Sequence, residues 1–228
     1  MPLPGKEDGA ERLRLKDAEV DDMLKNGVRL AKEAIKRHRE RNGTSEVAYY
    51  VAASIGSIGG SLADGSEYTG AFGLSIGEIE SFHKQKLRLL AGEHPDILAF
   101  ETIPCIEECC AILNVLREDM PDGFRTRRDE CTPPACWLSF ACSDEEHLND
   151  GSNIRDALSK VDELDPEAKL LPAIGVNCCS FKNGTYMHTS IYTYINCKTL
   201  ISMHLGYFLW YTWQISCYRP TVFLMGRL

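Results

Sequence analysis

Residues 96–104 read Asp-Ile-Leu-Ala-Phe-Glu-Thr-Ile-Pro. Four apolar residues, Ile97 through Phe100, run directly into a carboxylate at Glu101, and a proline follows at 104. A short uninterrupted apolar run is what a strand buried on both faces requires, as in a parallel sheet covered by helices. The spacing predicts a strand over 96–101. Pro104 suits the first residue of a helix, because the N–H it lacks is one that a helix start leaves unpaired anyway. Ile106, Cys109, Cys110, Leu113 and Leu116 then recur with helical period through about 117.

The same alternation extends in both directions. Upstream, Leu24, Val28, Ala31 and Ile35 mark a helix over 17–41 that stops at Asn42-Gly43, a suitable C-cap. Val47-Ala-Tyr-Tyr-Val-Ala-Ala-Ser54 reads as a buried strand, and Ile79, Phe82, Leu87 and Leu90 as the inner side of a helix over 75–91. Downstream come the strand Cys136-Trp-Leu-Ser-Phe-Ala141, a helix over 152–164, and the strand Leu170-Leu-Pro-Ala-Ile-Gly-Val-Asn-Cys178, starting after Pro172. The insert 121–134, with Arg125, Arg127, Arg128, Asp129 and Glu130, reads as a solvated loop. Strands alternating with helices predict βαβ units and a parallel sheet, hence an α/β fold. The spacing of the strands suits either a (β/α)8 barrel or a doubly wound sheet. In both, the chemistry gathers at the C-terminal ends of the strands. Here those ends carry Ser54-Ile-Gly56, Glu101-Thr102, Ser139 and Asn177-Cys178.

Composition divides the chain. Of 228 residues with a net charge of −8, all 33 acids lie in the first 167, while 11 of the 20 aromatics follow Ser180. Through Ser180 the 33 acids face 21 bases. That balance argues against non-specific nucleic-acid binding, which needs a basic footprint. The division assigns 1–16 to a disordered N-terminal segment, 17–180 to one folded domain and 181–228 to an atypical tail. The N-terminus is charged from Lys6 onward and has no apolar core of a secretory signal. The ten cysteines therefore read as reduced thiols, and the location as cytoplasmic. The segment 199–218 has no formal charge and could span a bilayer by length. His204, Gln214 and several hydroxyl residues keep its hydropathy modest, so it reads as a non-family terminus rather than a membrane span.

Three features could carry chemistry. Ser54-Ile-Gly-Ser-Ile-Gly-Gly-Ser61 could cradle a phosphate, or could simply let the chain turn over the top of the sheet; its glycines fit no nucleotide motif. Glu101 ends a buried strand, where a carboxylate is costly unless paired, so it reads as an ammonium site, a base, or half of a structural ion pair. Cys178 and Cys179 end the fourth strand, as thiolates able to ligate zinc or as two inert thiols. His83, His94 and His147 read as surface residues. Cys131, Cys136 and Cys142 lack the paired spacing of a structural zinc site.

Taken together, several strings resemble the homocysteine S-methyltransferase family: Val51-Ala-Ala-Ser-Ile-Gly56, Leu62-Ala-Asp-Gly-Ser-Glu-Tyr68, Leu98-Ala-Phe-Glu-Thr-Ile-Pro104, Trp137-Leu-Ser-Phe140 and Ile174-Gly-Val-Asn-Cys178. The resemblance implies a (β/α)8 barrel, here incomplete and holding about strands three to six. It implies zinc-activated transfer of a methyl group from a sulfonium donor, S-methylmethionine or S-adenosylmethionine, to homocysteine, giving methionine. It implies that Glu101 holds the homocysteine ammonium, that Asn177 shapes the pocket and that Cys178 is a zinc ligand. It also implies that the loop 64–68 covers the site. The family's other two zinc ligands form a Gly-Gly-Cys-Cys motif, which these 228 residues do not contain. The family's Asp-Gly-Gly strand has no counterpart before Asp17, and the resemblance read from motifs stops after Ser180. Impaired turnover is therefore expected. The alternative is an inactive interaction protein that associates through exposed barrel edges.

Overall fold

The computed structural model describes residues 17–43, 49–119, 135–171 and 173–178, and the backbone of a strand at 222–226. The elements run α1 (Asp17–Asn42), β1 (Tyr49–Gly56), α2 (Ile58–Leu62), a 3-10 turn (Ser66–Tyr68), α3 (Ile76–Ala91), β2 (Ile97–Ile103), α4 (Ile106–Asp119), β3 (Ala135–Ala141), α5 (Ile154–Leu164), β4 (Ala173–Asn177) and β5 (Val222–Gly226). The expected insert at 121–134 and most of the tail lie outside the described residues.

The sheet order is β4-β3-β2-β1-β5. The first four strands are parallel and adjacent in chain order. The fifth pairs antiparallel with β1, Tyr49 opposite Gly226 and Ala53 opposite Val222. That strand was not expected, and neither was the five-residue helix α2 inside the Gly-rich loop. The other elements agree with the sequence to within a few residues. β1 and β2 each run two residues further than their apolar runs, into Gly56 and Ile103. α4 starts at Ile106, two residues beyond Pro104. At 75 the capping box places Ser75 outside α3, its hydroxyl and N–H bound to the Glu78 carboxylate.

The two sides of the sheet differ. Val51, Ala53 and Ile55 of β1, Leu98 and Phe100 of β2, Cys136, Leu138 and Phe140 of β3, and Ile174 of β4 form one continuous core. Against it pack Leu24, Val28 and Ala31 of α1, Leu87 and Leu90 of α3, Ile112, Leu113 and Leu116 of α4, and Leu158 and Val161 of α5. All four long helices thus cover one face. A doubly wound sheet covers both faces with helices, whereas a barrel wall carries them on the outside only. The arrangement is therefore a portion of barrel wall. The opposite, lumen-facing side is lined by small residues, Ala52, Ala99 and Ala173, around one large one, Trp137. Among the described residues no helix is long and apolar enough to cross a membrane.

Where β1 ends, the chain folds tightly onto itself. Gly59 of α2 lies against the backbone of the 3-10 turn; a Cβ there would sit 2.4 Å from the Glu67 nitrogen and 2.8 Å from the Ser66 carbonyl carbon. Neither backbone atom can swing away as a side chain would. Gly59→Ala is expected to lower stability by about 1–3 kcal/mol, the usual effect of overpacking. The urea midpoint measures it, and an unchanged midpoint would mean that this contact is not formed.

Candidate active site

The strand ends gather the polar residues that the sequence placed there. Glu101 is 5% exposed. The Ser54 hydroxyl donates to its Oε2 at 2.8 Å, while Oε1 is buried without a hydrogen-bond partner. Burial pushes the carboxyl up to about 7, and the Ser54 hydroxyl and the Trp137 indole N–H pull it back toward the ionised form. The indole approaches without meeting hydrogen-bond geometry, so Trp137 Nε1 is also buried and unpartnered. Ser139 on β3 presents a third unpartnered polar atom, its Oγ.

At Thr102 β2 breaks register with β3, between Phe100 and Ile103. Its φ is +64°, rare for a β-branched residue. Asn177, at the end of β4, holds it there. The Thr102 N–H donates to Asn177 Oδ1 at 3.0 Å, and Asn177 Nδ2 donates to Thr102 Oγ1 at 2.9 Å. Cys178 follows, exposed and with φ +51°. Its Sγ lies 3.6 Å from Asn177 Nδ2 and 3.7 Å from Thr102 Oγ1. Glu101, Asn177 and Cys178, the three residues singled out from the sequence, are thus brought to one end of the sheet.

The described cysteines differ sharply. Burial pushes the Cys105 and Cys136 thiols up to about 12, and Cys109 well above its ordinary value. Cys178 alone among them is exposed. No three His, Cys, Asp or Glu side chains gather as metal ligands among the described residues. A zinc site needs at least three protein ligands. Cys178 by itself does not make one, and Cys179 lies outside the described residues.

A second cluster was missed. His83, expected at the surface, is fully buried. Its Nε2 lies 2.8 Å from Oε1 of Glu108, which is also fully buried. The same carboxylate accepts the Ile58 N–H at 2.6 Å and the Ser57 hydroxyl at 2.7 Å. These donors form the head of the Gly-rich loop. The loop's anion is thus supplied internally, which decides between its two readings: the glycines turn the chain, and the donors that a phosphate would need are already engaged. The only sequence signal was helical phase. His83 stands four residues after Ile79 and four before Leu87, on the inner side of α3.

A partial barrel with a buried carboxylate and an exposed thiol at the C-terminal ends of its strands has the layout of a (β/α)-barrel enzyme site. Comparison with known proteins narrows the class. The sequence model of homocysteine S-methyltransferase matches residues 7–210. Homocysteine S-methyltransferase YbgG of Bacillus subtilis is 34% identical over 166 residues, 72% of this chain and 48% of that protein. Homocysteine S-methyltransferase 1 of Zea mays is 32% identical over 191 residues, 77% of this chain and 54% of that protein. The metallated form of MmuM, the homocysteine methyltransferase of Escherichia coli, matches with a TM-score of 0.69 at 28% identity, over 84% of this chain and 60% of that one. The chain belongs to the homocysteine S-methyltransferase family. It spans about half the length of the curated relatives it matches. The matched range begins earlier than the motifs indicated and continues past the compositional boundary near Ser180.

The raised Glu101 pKa makes stability depend on pH. Because the folded value lies above the ordinary 4.5, the folded chain holds a proton that the unfolded chain releases between pH 4.5 and about 7. Stability therefore falls as pH rises through that window. Glu101→Gln removes the effect. Relative to the wild type, the variant is expected to gain stability between pH 5 and pH 8, with an upper bound of about 3 kcal/mol. Urea midpoints at the two pH values test this, and parallel curves would show that the carboxyl titrates normally.

Proposed function

We propose that the chain carries the homocysteine-binding part of a homocysteine S-methyltransferase site. The observation that carries this reading is the free, buried Oε1 of Glu101. A carboxylate in such a place gains most from a cation that brings its own donors, and the α-ammonium of an amino acid does so. With its pKa near 7, Glu101 ionises readily when an ammonium arrives. Asn177 orients the neighbouring Thr102 and, through it, the rim on which Cys178 stands. In the reaction read from the resemblance, homocysteine takes a methyl group from a sulfonium donor and becomes methionine. Zinc supplies that chemistry with a deprotonated substrate thiol when it is bound. The described residues offer it Cys178 alone and do not make a zinc site on their own. What they support is binding and orientation of the amino acid. The free thiols fit a reducing, cytoplasmic setting.

Two measurements test the reading. L-homocysteine is expected to bind the 228-residue chain without metal, and Glu101→Gln to weaken it roughly tenfold to hundredfold, as loss of a charged hydrogen bond does. Unchanged binding removes Glu101 from the site. With homocysteine, S-methylmethionine and zinc, methionine is expected to form slowly or not at all, and Cys178→Ser to lower the already weak zinc affinity. Turnover at a rate typical of enzymes would show that a full ligand set exists.

One observation favours a second reading, a non-catalytic interaction protein. Among the described residues β4 pairs only with β3, which leaves its outer edge as a template for another strand. Through that edge the chain would associate with itself or with a full-length relative. Sedimentation is expected to show a dimer, and a well-folded monomer would exclude it.

A further inference from the structure

We infer that Trp137 is a positioning residue for Glu101, holding the carboxylate from the floor of the lumen-facing side and supporting its anionic form. Its bearing on substrate rests on the reading of Glu101 as the ammonium site.

The register carries the argument. Ser54 of β1, Ala99 of β2, Trp137 of β3 and Ala173 of β4 form one row across the sheet. Glu101 stands two residues beyond Ala99 on the same face. Ser54 and Trp137 are therefore its two diagonal neighbours, one on each flanking strand. Diagonal pairs are about 7–8 Å apart, within reach of long and aromatic side chains. Ser54 completes its side of this arrangement with a 2.8 Å hydrogen bond to Oε2. Trp137 stands on the strand at the other side, and its Nε1 and Glu101 Oε1 are both buried without partners, as is Ser139 Oγ.

An indole N–H can only donate, so it favours the carboxylate over the acid. The rest of the row cannot replace it: Ala99 and Ala173 have no polar atoms, and their small size leaves the floor to the indole. Among the described residues no cation shares the task. β1 offers Ser54, β3 offers Trp137 and Ser139, and β4 offers Gly175 and Asn177, all uncharged. The Cys178 thiol titrates, but its contacts are to Thr102 and Asn177. The four long helices lie on the far face, with Glu108 and His83 bound to each other.

Trp137→Phe keeps an aromatic ring in the floor and removes the N–H together with part of the ring volume. The Glu101 carboxyl can be titrated in the full chain by carbon-13 NMR, with Glu101→Gln to assign its signal. The midpoint in Trp137→Phe is expected to rise by about one pH unit, a tenfold change in proton affinity. Binding of L-methionine, which has no thiol to titrate, reports the consequence. Trp137→Phe is expected to bind it several-fold more weakly at pH 7 and to recover by pH 8.5. Should the phenylalanine variant not fold, 3-benzothienylalanine at 137 keeps the ring volume, replaces the N–H by sulfur and should give the same shift. An unchanged midpoint, or methionine binding weakened by one factor at every pH, overturns the inference and reduces Trp137 to packing. Methionine binding that survives Glu101→Gln overturns the ammonium reading instead, and leaves the midpoint comparison standing.

Discussion

The site depends on one pair of hydrogen bonds, those between Asn177 and Thr102. Thr102 occupies a left-handed backbone conformation at a register break in β2, a state that costs a β-branched residue on the order of 1–3 kcal/mol. Asn177 reaches it from β4 across the intervening β3, from a position level with Ala141, and satisfies both its N–H and its hydroxyl. The side-chain amide suits this task because it accepts and donates at once; a carboxylate could not return the second bond. The clamp sits at the break that interrupts the pairing of β2 with β3 between Phe100 and Ile103, beside Glu101. It also brings Cys178 beside Thr102, so one constraint governs both ends of the proposed amino-acid site.

Two buried glutamates show how differently the fold treats the same residue type. Glu108 receives the Ser57 hydroxyl, the Ile58 N–H and the His83 ring, three donor groups from two places in the chain. Such a carboxylate is structural: it fixes the Gly-rich loop and leaves nothing for a ligand. Glu101 receives one hydroxyl and keeps an unpartnered oxygen. Burial without full satisfaction is destabilising, and it persists where something other than stability is served. Polar satisfaction, more than burial or charge, separates the two.

Much of this was legible in the sequence because it is local. Short apolar runs fixed the parallel strands, helical spacing of apolar residues fixed the long helices, and the polar residues ending each strand marked the functional edge. Glu101 and Cys178 stood out because each ends an apolar strand, and Asn177 through the family resemblance of the string that carries it. The illegible parts depend on partners far apart in the chain. His83 and Glu108 meet across 25 residues, and Asn177 finds Thr102 across 75. Trp137 looked like one more apolar strand residue until the register set it diagonally opposite Glu101. β5 was hidden because its apolar residues lie in a tail whose composition departs from the rest, and its pairing with β1 spans almost the whole chain.

The lumen-facing row also bears on why half a barrel wall can hold a defined site. The helix-covered face is closed by neighbours in sequence, β1 to β3 each lying between helices that precede and follow it. The lumen face has no such local cover, and in a closed barrel its layers are filled from strands across the interior. Here the row beneath Glu101 is filled from within the wall itself: alanines on β2 and β4 make room for the one indole on β3. The floor of the proposed amino-acid site is therefore set by four adjacent strands that pair in sequence order. The proposed metal is different, because Cys178 stands on the rim and among the described residues a single thiol cannot complete a zinc site. In the proposed reading, recognition of the amino-acid end is local to this portion of wall, whereas activation of the sulfur is not.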